Sequence, residues 1–146
     1  MKKNNNKPLI LIIAPPGDLQ IGLQALLTAR LEVDVLVTGE ESSAMKVITR
    51  YNPALVILDH HLPGNSAPMI IKRIKSRIPE MRCVVLVNDE QERQKVVCTG
   101  ADLIVIKGLP GGKLVTEIEK ILSPERLNHP TSKDSEGEEV DRRNDV

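Results

Sequence analysis

The sequence predicts an α/β fold in which helices cover both faces of a five-stranded parallel sheet. Short, continuous aliphatic runs alternate five times with longer segments of helical period. The chain has no Trp, no Phe and a single Tyr, and a core of aliphatic side chains suits strands that are buried on both faces. Since crossovers between parallel strands are right-handed, the 146 residues are expected to form one doubly wound, three-layer sandwich.

Five aliphatic runs are predicted as strands. Each is too short for a helix, and most of them are continuous rather than alternating, which is typical of strands with no solvent-exposed face. The predicted strands are residues 9–14, 33–37, 54–58, 83–87 and 103–106.

Each predicted strand is followed by a helical segment, and four of these five segments carry a clear apolar stripe at helical spacing. The stripes are Leu19, Leu23, Leu26 and Leu27; Ala44, Val47, Ile48 and Tyr51; Ile70, Ile74 and Ile78; and Leu114, Ile118, Ile121 and Leu122. The fourth helix has little to bury beyond Val96, Val97 and Cys98, so we expect it to be the most mobile element.

Several residues predict where helices begin and end. Thr38 and Glu41 have the spacing of a capping box at the start of the second helix. Pro68 suits the first turn of the third helix, Asn88 is a candidate N-cap of the fourth, and Gly100 is a candidate left-handed C-cap where the fourth helix ends.

Composition predicts three regions and a cytoplasmic protein. Residues 8–122 are expected to form the folded domain, and residues 1–7 and 123–146 are polar ends expected to be flexible, the latter with seven acids and four bases. The apolar run at 9–14 is too short for a signal peptide or a membrane span. Twenty basic and twenty acidic residues cancel, so neither nucleic acid nor a membrane surface is an expected partner. Cys83 and Cys98 are expected to be reduced.

Two charged residues end predicted strands. Asp59 ends the third strand in "LVILDHHLPG", and Lys107 ends the fifth in "GADLIVIK". Because the carboxyl ends of parallel strands meet at one edge of the sheet, where ligands bind in such folds, the two side chains are expected to face each other.

These stretches resemble the receiver domain of response regulators, in the CheY-like superfamily. "GLQALL" and "KGLPGGKLVTEIEKIL" resemble the first and last helices of its LuxR-type branch. The resemblance covers about residues 8–122 and implies a flavodoxin-like (CheY-like) fold. It also implies that Asp59 is the acceptor of a phosphoryl group from a histidine kinase. In that family Mg²⁺ assists the transfer, two acids end the first strand, and Lys107 and a Ser or Thr ending the fourth strand hold the phosphoryl oxygens.

The sequence departs from the family pattern at several positions, four of which concern the chemistry of the site. Ala14 and Pro15 stand where the two acids belong, Val87 replaces the Ser or Thr, and Ile104 replaces an aromatic residue of the fifth strand. The charges of Asp59 and Lys107 then neutralise each other, and no negative charge remains for a divalent cation to neutralise. We therefore expect no cofactor and weak Mg²⁺ binding at most. Asp18 is an alternative metal ligand, although it is better placed to cap the first helix.

We therefore expect a single-domain, atypical receiver that acts mainly as a protein-interaction module of a phosphorelay. Asp59 and Lys107 are then a structural ion pair. Its partner would be a histidine kinase, another regulator or a second copy of the chain, bound through the fourth helix, fifth strand and fifth helix. The alternative is a receiver that is phosphorylated on Asp59, with Lys107 contacting the phosphoryl group.

Two other motifs are weaker. Residues 59–64 match the Asp-x-His-x-x-Gly pattern of cobalamin-binding domains, but they follow the third predicted strand instead of the first. Residues 109–113, "LPGGK", are glycine-rich but resemble no phosphate-binding loop and are expected to start the last helix. The sequence shows no recognisable Ser/His/Asp or Cys/His catalytic motif, so we do not expect an enzyme.

Overall fold

The computed structural model of the protein describes residues 7–62 and 67–122. The predicted flexible ends, residues 1–7 and 123–146, lie outside the described residues except for Lys7. Within the described part of the chain, no helix is both long enough and apolar enough to cross a membrane.

Five strands form one parallel sheet. They are β1 (Leu9–Ile13), β2 (Asp34–Thr38), β3 (Leu55–Asp59), β4 (Cys83–Val87) and β5 (Leu103–Ile106). Their order is β2-β1-β3-β4-β5, which is the flavodoxin-like arrangement of a doubly wound sheet. The predicted fold class is therefore confirmed, and the predicted strand ends are correct to within one residue.

Five helices alternate with the strands: α1 (Asp18–Arg30), α2 (Glu41–Tyr51), α3 (Ala67–Arg77), α4 (Glu90–Val96) and α5 (Gly111–Leu122). Successive residues of each central strand point to opposite faces. One face, with Ile12 and Ile57, packs against α1 and α5. The other, with Leu58, packs against α2, α3 and α4. The sheet thus separates two aliphatic cores.

Most of the predicted apolar stripes face these cores, with exceptions at two helix ends. Tyr51 is exposed because it is the last residue of α2, directly before Asn52 in the left-handed conformation. Val97 and Cys98 are exposed as well. The helix α4 has only seven residues and ends at Val96, the one residue of the helix that is buried.

The predicted capping box of α2 is wrong. Glu40 is the N-cap and makes no side-chain capping hydrogen bond. The Thr38 hydroxyl accepts a hydrogen bond from the N–H of Glu40 at 3.3 Å, while Glu41 forms an ion pair with Arg73 of α3. The carboxylate of Glu41 is therefore engaged by a neighbouring helix instead of its own N-terminus.

Three further helix-end predictions need correction. Asp18 is the first residue of α1, whose N-cap is Gly17. Asp89 and not Asn88 caps α4, because the Asp89 carboxylate accepts a hydrogen bond from the N–H of Glu92 at 2.9 Å. Gly100 does adopt a positive φ of 97°, but α4 has already ended before it. Pro68, by contrast, lies in the first turn of α3 as predicted.

Candidate functional site

The candidate site lies at the carboxyl edge of the sheet, between β1 and β3. These strands are neighbours, but the helices that follow them pack on opposite faces of the sheet. Such a change of direction opens a crevice at the strand ends, where ligands bind in doubly wound folds. Ile13 pairs with Leu58, so that Ala14 and Asp59 come next at this edge.

Asp59 and Lys107 meet here. The Nζ of Lys107 lies 2.9 Å from the Oδ1 of Asp59, and the exposed fractions of the two side chains are 26% and 6%, respectively. The same Oδ1 accepts a hydrogen bond from the N–H of His61 at 3.0 Å. The Nδ1 of His61 also lies 3.9 Å from this Oδ1. Among the described residues, all three of these contacts go to Oδ1, and Oδ2 accepts no hydrogen bond.

The backbone fixes both residues of this pair. The N–H of His60 donates to the carbonyl of Leu86 at 2.9 Å, and the N–H of Lys107 donates to the carbonyl of Val87 at 2.7 Å. Each bond continues a strand ladder for one residue beyond the strand. Asp59 and Lys107 are thereby held by opposite sides of β4, which brings two residues that are 48 positions apart into contact.

The end of β1 offers no carboxylate to this crevice. Ala14 is buried, its N–H donates to the carbonyl of Thr38 at 2.9 Å, and its carbonyl accepts a hydrogen bond from the Gln20 side chain at 2.9 Å. Pro15 has no N–H, and Asp18 is exposed at the start of α1. Mg²⁺ prefers carboxylate and other oxygen ligands in near-octahedral geometry, and these donors do not fit such a site.

Aliphatic packing occupies two further positions of the family pattern. Val87 is fully buried in the core on the side of α2, α3 and α4. Ile104 packs against the same cluster and pairs with Val85 across β4 and β5. Neither side chain has a hydroxyl or a ring, so neither can form the contacts that the family pattern assigns to these positions.

Glu92 is a residue of this region that the sequence analysis did not identify. Its Oε2 lies 2.6 Å from the Nε2 of His61, and its Oε1 accepts a hydrogen bond from the N–H of Asn88 at 2.6 Å. The backbone N–H of Asn88, and after it the hydrogen bond and charge of His61, lower the pKa of Glu92. The Asp89-x-x-Glu92 spacing is that of a capping box and could have revealed the helix start, although not the contact with His61.

The remaining motifs form no ligand site within the residues that the structure describes. The Asp-x-His-x-x-Gly pattern begins at the end of β3, and Gly64 lies outside the described residues. Gly111 and Gly112 of "LPGGK" open α5, as predicted. In the described part of the chain, no three His, Cys, Asp or Glu residues are grouped to hold a metal ion.

Comparison with known proteins agrees with this fold. The family model of the response regulator receiver domain matches residues 10–119. The transcriptional regulatory protein DegU of Brevibacillus brevis is 25% identical over 130 residues, covering 87% of this chain and 55% of the relative. The phosphate regulon regulatory protein PhoB of Rhizobium meliloti is 28% identical over 120 residues, covering 79% and 52%. The chain thus spans about half the length of these curated relatives.

Solved structures share the fold. A CheY-like receiver domain protein from Methanospirillum hungatei superimposes with a TM-score of 0.74 at 15% identity, covering 83% of this chain and 98% of the other. A LuxR-family two-component response regulator from Aurantimonas gives 0.73 at 20%, covering 82% and 87%. With the family match over most of the chain and the β2-β1-β3-β4-β5 sheet, the chain belongs to the response regulator receiver domain family of two-component signalling.

Proposed function

We propose that this receiver acts mainly as a protein-binding module of a phosphorelay and that its Mg²⁺-dependent phosphorylation is impaired. The observation that carries the proposal is the ion pair between Asp59 and Lys107, next to a strand end that offers Ala14 and Pro15 in place of acids. One carboxylate and one ammonium leave no net charge for a divalent cation to neutralise.

The energetic argument concerns both metal binding and transfer. Each missing anion about 4 Å from a divalent cation removes several kcal/mol of Coulomb attraction, even at an effective dielectric constant of about 20. Weak metal binding leaves phosphoryl transfer without its main electrostatic stabiliser. Val87 has no hydroxyl that could bind a phosphoryl group at Asp59. Ile104 has no aromatic ring that could change its orientation in response to phosphorylation.

The partner-binding face in this proposal comprises α4, β5 and α5. Exposed aliphatic side chains lie along it: Val97 follows α4, Ile106 ends β5 and Leu109 precedes α5. Apolar side chains exposed on one face of a protein favour burial against another protein. A histidine kinase, another regulator or a second copy of this chain is the proposed partner, and the balanced net charge favours neither nucleic acid nor a membrane.

The alternative function is a phosphoacceptor receiver that is phosphorylated on Asp59. Two features favour it: Lys107 is retained beside Asp59, and the Oδ2 of Asp59 accepts no hydrogen bond from the described residues. An oxygen atom in this position would be available to attack a phosphoryl donor.

Incubation with acetyl phosphate and Mg²⁺, followed by intact mass spectrometry, separates the two functions. We expect no added phosphoryl group on the wild-type chain. The variant with Ala14→Asp and Pro15→Asp restores the missing carboxylates and is expected to gain phosphorylation that a chelator abolishes. Phosphorylation of the wild-type chain that requires Mg²⁺ and disappears in Asp59→Asn would contradict the proposal and establish the alternative.

A further inference from the structure

A second polar contact joins the edge of the sheet to α4. The Nε2 of His61, in the loop that follows β3, lies 2.6 Å from the Oε2 of Glu92 in the first turn of α4. The side chains are 42% and 17% exposed, respectively. Since hydrogen bonds to an ionised group are shorter and stronger than neutral ones, this contact is a direct link between the loop beside Asp59 and the helix.

Glu92 is held at both of its oxygen atoms. Its Oε1 accepts the N–H of Asn88 at 2.6 Å, and its own N–H donates to the Asp89 side chain at 2.9 Å. These reciprocal bonds form a variant of the capping box, in which the carboxylate reaches one residue beyond the N-cap. The position of Glu92 is therefore defined by its own helix, and the Oε2 atom is left to hold His61.

The loop side of the contact is equally defined. The N–H of His61 donates to the Asp59 carboxylate at 3.0 Å, and the His61 Nδ1 lies 3.9 Å from the same Oδ1. Lys107 lies 2.9 Å from that oxygen. His61 thus lies between two carboxylates, one from β3 and one from α4, and joins the Asp59–Lys107 pair to the helix.

The part of α4 that is buried in the core lies at its carboxyl end. The helix has seven residues, of which only Val96, the last, is buried. Its first turn therefore contributes no buried side chain to the core, and local stability in such a segment depends on polar contacts.

We propose that His61 and Glu92 form a latch that fixes the first turn of α4 to the loop after Asp59 without a phosphoryl group. The inference rests on the proposed function, because α4 belongs to the partner-binding face. The latch connects the two loops at the carboxyl ends of β3 and β4. It holds that face in one orientation while Asp59 remains paired with Lys107.

Hydrogen exchange measured by mass spectrometry on the full chain tests the latch. In His61→Ala, we expect amides of the first turn of α4 to exchange about two- to fivefold faster than in the wild type, the factor appropriate to one partly exposed polar pair. Exchange in β4 and α5 is expected to stay unchanged. Glu90→Gln alters another carboxylate of the same turn, whose recorded partners are Arg93 and Gln94, and serves as the matched control.

A double-mutant cycle with Glu92→Ala assigns the effect to the pair. If the latch exists, His61→Ala adds nothing to the exchange of α4 in a Glu92→Ala background, since coupled residues are not additive. Unchanged α4 exchange in His61→Ala, or additive effects of the two substitutions, would overturn the inference. The phosphorylation assay is separate: a phosphorylated wild-type chain would refute the proposed function and leave these exchange results unaffected.

Discussion

At the scale of single residues, the ion pair at the edge of the sheet is the most consequential feature. Asp59 is the one buried charged residue in the described part of the chain, and its nearest counter-charge is Lys107 at 2.9 Å. A buried carboxylate that loses its partner remains desolvated and uncompensated, and this cost exceeds the net value of the pair itself. Stability alone is thus a sufficient reason for both residues to be present.

The stability effect is testable by a double-mutant cycle. Because Lys107 is partly exposed, we expect Lys107→Met to lower the free energy of unfolding by about 2 kcal/mol, less than for a fully buried pair. In an Asp59→Asn background the same substitution should cost much less, since no charge is then left unpaired. Urea unfolding followed by far-UV circular dichroism measures both.

Lys120→Met is the matched control for this cycle. Lys120 forms an exposed ion pair with Glu117 one turn earlier on α5, and such pairs contribute roughly 0.3–0.5 kcal/mol. A loss in Lys107→Met no larger than that in Lys120→Met would show that the contact with Asp59 has no structural role.

Glu92 gives a prediction about pH. Its pKa is lowered from 4.5 chiefly by the N–H of Asn88, so the folded state binds the proton more weakly than the unfolded state. The resulting stabilisation is complete above the unfolded pKa and is lost as the pH falls through the folded one. We expect Glu92→Gln to be less stable than the wild type at neutral pH, with the difference shrinking below about pH 4.5. Urea unfolding at a series of pH values measures this difference.

Gln91→Ala provides the comparison for that series. Gln91 is an exposed, uncharged residue of the same helix, so its substitution should change stability by an amount that does not vary with pH. A pH-independent difference in Glu92→Gln as well would mean that the Glu92 carboxylate is not stabilised by the fold.

At the scale of elements, the cap defines where α4 begins, because the one buried residue of the helix is its last. Asp89→Ala removes the side chain that accepts the Glu92 N–H and is expected to lower the free energy of unfolding by about 1 kcal/mol. Asn88→Ala keeps the backbone N–H that donates a hydrogen bond to Glu92, so this substitution should lower the free energy of unfolding by less. Urea unfolding of the two variants ranks them, and a larger loss in Asn88→Ala would identify Asn88 as the cap instead.

The elements also show what the sequence could predict. Strands were predictable because β3 and β4 are buried at every residue, and a continuous aliphatic run records this directly. Helix ends were less predictable because their side chains have competing partners: Glu41 pairs with Arg73 of another helix instead of forming a capping box. The spacing of Asp89 and Glu92 did carry a readable signal.

The candidate site likewise has one contact that the sequence predicts and one that it does not. The approach of Asp59 and Lys107 followed from topology, since both residues end strands of one parallel sheet. The contact of His61 with Glu92 did not, because it depends on the path of a loop and on the start of a short helix 31 residues away. The Asp89–Glu92 spacing marks where the helix starts, but nothing in the sequence pattern gives the path of the loop or the approach of His61 to the helix.

At the scale of the whole molecule, one sheet separates two aliphatic cores. The central strands are buried on both faces, whereas β2 and β5 at the edges are partly exposed. The last turn of α5 is attached to the rest of the domain by a hydrogen bond from Arg82 to the carbonyl of Ile121 at 2.8 Å. Ile121 and Leu122 also pack against the core on the side of α1 and α5.

These contacts predict where the folded domain ends. A chain of residues 8–122 is expected to unfold with the same free energy as the full chain to within about 0.5 kcal/mol, because it retains both cores. Ending the chain at Ile118 removes the carbonyl that Arg82 contacts and two apolar side chains, and should cost about 2 kcal/mol or more. Urea unfolding of the three chains tests this boundary: an equal loss in both shortened chains would place part of the stabilising structure in residues 1–7 or 123–146.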